Sequence, residues 1–155
     1  MPHETRQPPY LASDDRARLD FGVVHAFLST SYGVPGIPRA VVEKAAANSI
    51  PFGVYDLSAG APVQVGYARV VTDRATFAYL ADVFVLESHR GRGLSMLLMR
   101  NIMSHPELQG LRRWLLMTRD AHGVYARFGF KPLANPVAPM EITVRDIDLR
   151  AADAR

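Results

Sequence analysis

Downstream of Asp20, the residues Phe21, Val24, His25 and Leu28 recur at three- and four-residue spacing, which predicts a helix with Asp20 as its N-cap. The connection SYGVPGIPR (31–39) is turn-rich. Pro38 then opens a second helix, RAVVEKAAANS, where alanine favours the helix and proline suits its first turn. Here the period changes. Three strand-like runs, 50–57, 62–73 and 75–86, are divided by the short, turn-prone segments SAGA and TDRA, so an antiparallel meander is the economical arrangement. The third run is apolar almost throughout, as in a strand covered on both faces. Next, Leu94, Leu97, Leu98 and Ile102 share one helical face that the methionines widen, predicting a largely buried helix over 94–103. RRWLLMT (112–118) reads as another buried strand and AHGVYARF (121–128) as a short helix closed by Gly129. MEITVRDIDL (140–149) sets Ile142, Val144, Ile147 and Leu149 against charges and reads as an edge or hairpin strand. Residues 1–9, polar and proline-rich, are expected to be flexible.

This order of elements predicts an α+β fold with a central mixed sheet and one strand–helix–strand crossover. At 155 residues the chain has the length of a single domain, 1–155, with a sizeable core. Its 48% hydrophobic and 21% charged residues are ordinary for a globular protein. Each apolar run is interrupted before it reaches the length of a membrane span, and MPHETRQPPY has no apolar segment of a secretory signal. The expectation is therefore a cytoplasmic protein without membrane contact. Cysteine is absent, which excludes disulfides, thiolate metal sites and cysteine nucleophiles. A net charge of +3 with only two lysines, Lys44 and Lys131, argues against nucleic acid as a partner, because such binders cluster Lys and Arg. The five histidines show no metal-ligand spacing, and no metal is expected.

Candidate chemistry concentrates in ESHRGRGLSMLL (87–98), where two glycines and two arginines stand between two apolar segments. A strand ending in a glycine-rich loop that feeds straight into a helix makes an anion site, since free backbone N–H groups point out of the helix start. Glycine lets the backbone approach a phosphate, and Arg90 and Arg92 add charge-assisted donors. The P-loop pattern is absent, and Met96 stands where a dinucleotide fingerprint has its third glycine. A plain tight turn with solvated arginines is the rival reading of RGRG alone.

The stretch VFVLESHRGRGLSMLL resembles the acetyl-CoA-binding segment of the GCN5-related N-acetyltransferase (GNAT) family, a strand followed by R-x-x-G-x-G/A and a helix. Ser95 takes the last, small position. Downstream, VYARFGF (124–130) resembles the family's Y-x-x-x-G-F block, with Tyr125 at the tyrosine, and Thr118 falls where the family often has Asn. The two elements span about 83–130. The resemblance implies a mostly antiparallel sheet with helices on both faces. It also implies acetyl-CoA as co-substrate, its pyrophosphate on the amides of Gly91, Arg92, Gly93, Leu94 and Ser95 beside Arg90. The pantetheine arm would lie along Val83, Phe84 and Val85, with Thr118 nearby, provided that the neighbouring strands splay apart.

The implied reaction is direct attack of a primary amine, of a small molecule or a peptide, on the thioester. Backbone N–H near Val85 would steady the oxyanion and Tyr125 would protonate the departing thiolate. Asp82 is the sole carboxylate in the apolar 77–86 run, so burial would raise its pKa toward that of a useful base. The competing readings are a packed helical tyrosine at 125, a backbone-satisfied aspartate at 82, and a water chain as base. His122 and Glu87 read as solvent-facing, and Trp114 as core. Ser88 and His89 are set aside as a nucleophile pair, because adjacent side chains on an extended backbone point apart. Tyr32 and Arg39, in the first interhelical connection, are the candidate acceptor contacts, Arg39 for a carboxylate. Two alternatives stay open: a non-catalytic acyl-CoA sensor of the same fold, and a module whose arginine loop docks a phosphorylated ligand. The C-terminal strand offers a surface for pairing in a homodimer.

Overall fold

The computed structural model describes residues 1–149. Its elements in chain order begin with β1 (Glu4–Gln7), β2 (Tyr10–Ser13), α1 (Phe21–Leu28), α2 (Arg39–Ala47), β3 (Ile50–Asp56), β4 (Val63–Thr72) and β5 (Phe77–Val85). They continue with α3 (Leu94–Met103), β6 (Arg113–Leu116) and α4 (His122–Ala126). The strands form one six-stranded sheet in sequence order, antiparallel throughout except for the parallel β5–β6 pair that α3 crosses over. The expected meander is β3–β4–β5, and the expected crossover is β5–α3–β6.

Local chemistry sets the boundaries. Asp20 caps α1, its Oδ1 accepting from the Val23 N–H at 3.2 Å. At the β4–β5 turn, Asp73 Oδ1 accepts from the amides of Ala75, Thr76 and Phe77. These bonds, with the Thr76 hydroxyl foremost, hold its carboxyl well below the usual carboxylate range. Helices cover both faces. Leu94, Leu97, Leu98 and Ile102 of α3 pack on Phe52, Val54, Val65 and Val70 to form the larger core cluster. On the other face, Val24 and Leu28 of α1 and Val42 of α2 meet Tyr67 and Phe84, and Phe27 stacks on Phe84 at 4.0 Å. Among the described residues no helix is long and apolar enough to cross a membrane.

Three expectations change. Residues 1–9, expected to be flexible, contain β1, which pairs with β2 and carries Thr5, whose hydroxyl donates to buried Asn101 of α3. Period-two reading misses so short a strand when prolines flank it. RRWLLMT is an edge strand, not a buried one: Arg113 is exposed and Trp114–Leu116 are partly covered. Residues 140–149 form no strand; 131–147 are exposed, and a turn at 145–146 leads into a helical segment. Alternation needs a neighbouring edge to become a strand, and among the described residues 140–144 pairs with none.

Candidate functional site

Parallel pairing of β5 with β6 runs from Phe77–Arg113 to Leu80–Leu116 and stops, while β5 continues to Val85. The last five residues of β5, 81–85, therefore have a free edge where β6 has ended. A bulge lies at the same place. Arg69 pairs with Ala81 and Tyr67 with Phe84, so Ala68 alone faces Asp82 and Val83. Asp82 absorbs the extra residue in a left-handed conformation, φ 56°. Beyond the bulge the Leu86 N–H donates to Val65 at 2.8 Å. Because alternate residues of an extended strand direct their amides to opposite edges, the Val85 N–H is turned away from β4, toward the free side.

The chain then makes a 3-10 turn, Glu87–His89, and enters the glycine loop. Gly91 and Gly93 have φ of 78° and 74°, values that a side chain with Cβ tolerates poorly. Gly93 is the N-cap of α3 and has no side chain to occupy the amides of the first turn. They open on a hollow of about 200 Å3 lined by Val85, Arg90, Gly91, Gly93, Leu94 and Ser95, together with His89 and Met96. The structure thus gathers most of the predicted cofactor residues around one helix start. The arginines also brace the loop: Arg90 Nε donates to the Val85 carbonyl at 3.2 Å, and Arg92 Nη1 to the Tyr10 hydroxyl at 2.7 Å. Gln7 Nε2 donates to the Arg92 carbonyl at 3.2 Å. Phe84 sends its side chain into the α1–α2 core, leaving only its backbone along the strand. The Thr118 hydroxyl accepts from the Ala121 N–H at 3.0 Å and so fixes the entry to α4.

Tyr125 of α4 is 9% exposed and packs in the same core cluster as Val85 and Leu94, with its ring edge-on to Phe130 at 6.0 Å. Burial, and secondarily the Tyr32 hydroxyl, push its phenol above the ordinary range, so it keeps its proton at neutral pH. Tyr32 lies close enough to act on Tyr125 and is 65% exposed, with the Arg119 guanidinium 3.9 Å above its ring centre. Arg39 opens α2 and is paired with Glu43 at 3.2 Å, both side chains exposed.

Asp82 is not isolated among apolar groups as expected; Arg69 Nε donates to its Oδ2 at 2.5 Å, and Arg69 Nη1 reaches Ser49 Oγ at 3.2 Å. Nearby, Tyr67 and Tyr55 are buried with hydroxyls that find no partner among the described residues. Neither Arg69 nor these phenols carried a sequence signal, since each lies in an ordinary strand pattern. The Ser88–His89 reading also changes. In a 3-10 turn, not an extended strand, Ser88 Oγ lies 2.9 Å from His89 Nδ1, and His89 Nε2 is 3.4 Å from Asp56 Oδ2.

The family model described as "Acetyltransferase (GNAT) domain" matches residues 52–132. A Gibberella zeae protein that bears the name acetyltransferase is 30% identical over 145 residues, 81% of each chain. A crystal structure from Xanthomonas campestris pv. campestris, of a protein assigned to the GNAT family, is 46% identical with a TM-score of 0.85, covering 92% of this chain and 99% of that one. A Staphylococcus aureus structure, 23% identical with a TM-score of 0.68 over 87% of this chain and 99% of that one, shares the fold. Sheet order and helix placement therefore define an acetyltransferase-type α+β fold. The chain belongs to the GCN5-related N-acetyltransferase family.

Proposed function

We propose that this protein transfers an acetyl group from acetyl-CoA directly to a primary amine of a small molecule or peptide. One observation carries the reading: the reach of β5 with a free edge on the β6 side, 81–85, leads through a short turn into a glycine-walled helix start with open amides. A phosphate-ended, amide-bearing ligand fits both parts. The amides of 91–95, with Arg90, would hold the pyrophosphate; Val83–Val85 would pair with the pantetheine arm, with Thr118 beside it. The cofactor supplies the activated acetyl thioester.

The chain's own groups supply the rest. The Val85 N–H, turned to the free edge, stabilises charge developing on the carbonyl oxygen. Tyr125, kept neutral by burial, gives its proton to the leaving sulfur. Asp82, held by Arg69 beside the bulge, takes the proton that the amine must lose. Tyr32 and Arg119 meet the acceptor.

Release of free thiol from acetyl-CoA, screened over an amine panel, tests the activity. With an accepted amine, Tyr125→Phe should lower kcat by about 100-fold with little change in cofactor affinity, in line with general-acid contributions. Parental turnover in that variant removes the assigned role. Tight acetyl-CoA binding with no thiol release across the panel would favour the sensor reading. Asp82→Asn should lower kcat by about 100-fold, in line with general-base contributions; parental turnover in that variant assigns the proton to water instead.

A further inference from the structure

We infer, on the reading of the hollow at the start of α3 as the cofactor's phosphate site, that Gln7 of β1 is a positioning residue for it. By holding the Arg92 carbonyl, Gln7 keeps the Gly93 N–H available to the anion. Alternate residues of a strand share a face, and His3, Thr5 and Gln7 all reach α3 or its C-cap, Ser104. His3 Nε2 lies 2.9 Å from Ser104 Oγ, the Thr5 hydroxyl donates to Asn101 Oδ1 at 3.0 Å, and Arg100 Nη2 donates to Gln7 Oε1 at 2.9 Å. β1 is thereby splinted along the helix whose start forms the hollow. Gln7 makes one contact more: its Nε2 donates to the Arg92 carbonyl at 3.2 Å. Arg100 can only donate and the carbonyl can only accept, so a carboxamide, with one end of each kind, serves both.

The Arg92 carbonyl and the Gly93 N–H belong to one planar trans peptide and point opposite ways. The hollow is lined by Gly93 but by neither Gln7 nor Arg92, so the carbonyl is held from outside it. Arg92 is anchored at its other end too, Nη1 donating at 2.7 Å to the hydroxyl of Tyr10 on β2, a residue only 6% exposed. Of the two loop arginines, Arg90 is the one that lines the hollow. Glycine makes this peptide easy to turn over, because Gly93, at φ 74°, has no Cβ to bar the alternative conformation. Turned over, the peptide would face the phosphate with its carbonyl oxygen, and one donor would be lost. Gln7 opposes that flip. A Cβ on Gly93 would sit 3.7 Å from Gln7 Nε2, so the carboxamide rests directly on this residue.

Backbone amide NMR relaxation of the full chain without cofactor, and titration calorimetry with acetyl-CoA, test this together. In wild type the Gly93 N–H should be as rigid as the helix, with an order parameter of about 0.85. Gln7→Met, nearly isosteric and without either polar end, should lower it below about 0.6 or bring exchange broadening to Gly93. The same variant should weaken acetyl-CoA binding by about 5–10-fold, as one lost hydrogen bond would. Gln7→Glu keeps an acceptor for Arg100 but has no donor for the carbonyl, and should loosen Gly93 equally; a mere tie between β1 and α3 would survive in it. Arg6→Ala, exposed on the opposite face of β1, should match wild type in both measurements. Gly93 motion unchanged in Gln7→Met, or loosened with no change in affinity, overturns the inference. A wild type that binds no acetyl-CoA overturns instead the reading of the hollow as the cofactor's site, and Gly93 motion still decides whether Gln7 holds the loop.

Discussion

Two phenols test how the α1–α2 face tolerates polarity. Burial, the largest effect, lifts the phenols of Tyr55 and Tyr67 far above their ordinary value of 10.0, and the charge of Asp82 adds to it at Tyr67. Below that pH both folded and unfolded chains keep these protons, and stability is unaffected by them. Above it the unfolded chain releases protons that the folded chain retains, so stability falls as pH rises. Since neither hydroxyl has a partner among the described residues, Tyr67→Phe should be near neutral in stability at pH 7 and should shift the alkaline unfolding midpoint upward. Chemical denaturation across pH 7–11 checks it; a clear loss at pH 7 would mean that the hydroxyl is hydrogen-bonded. Gly53 is constrained by the same ring. A Cβ there would lie 2.5 Å from Tyr55 Cζ, and Tyr55 is 1% exposed, so Gly53→Ala should cost about 1–3 kcal/mol by overpacking. An unchanged denaturation midpoint would contradict that packing.

Among the elements, β5 carries most of the design. Its first half is an ordinary sheet strand between β4 and β6; its second half, past the bulge at Asp82, keeps only β4. The sequence announced the second half through an apolar run ending in Arg and Gly, and the helix start through RGRG before a leucine-spaced face. It was silent on the bulge, because a left-handed aspartate looks like any other aspartate until its partner strand is in place. Arg69, thirteen positions earlier, becomes its ion-pair partner only through that register. Tyr125 was legible through its motif, whereas Tyr32 and Arg119 meet only because two separate loops come together in the fold. Replacing Gly93 by alanine should cost about 1–2 kcal/mol from the left-handed backbone alone, read as a lowered melting temperature. Full retention of stability would mean that the loop relaxes freely.

For the whole molecule, the pattern that misled at the C-terminus is the informative one. Alternation over 140–144 encodes a strand, but a strand forms only where an edge receives it, and these residues pair with no strand among the described ones. Central to the account is that the glycine-walled helix start and the free edge of β5 together hold acetyl-CoA. Thermal unfolding with and without the cofactor measures this most directly. Saturation at about 100 times Kd contributes about 2.7 kcal/mol, which raises the melting temperature of a chain of this size by roughly 5–10 °C. An unchanged melting temperature at millimolar acetyl-CoA would contradict it.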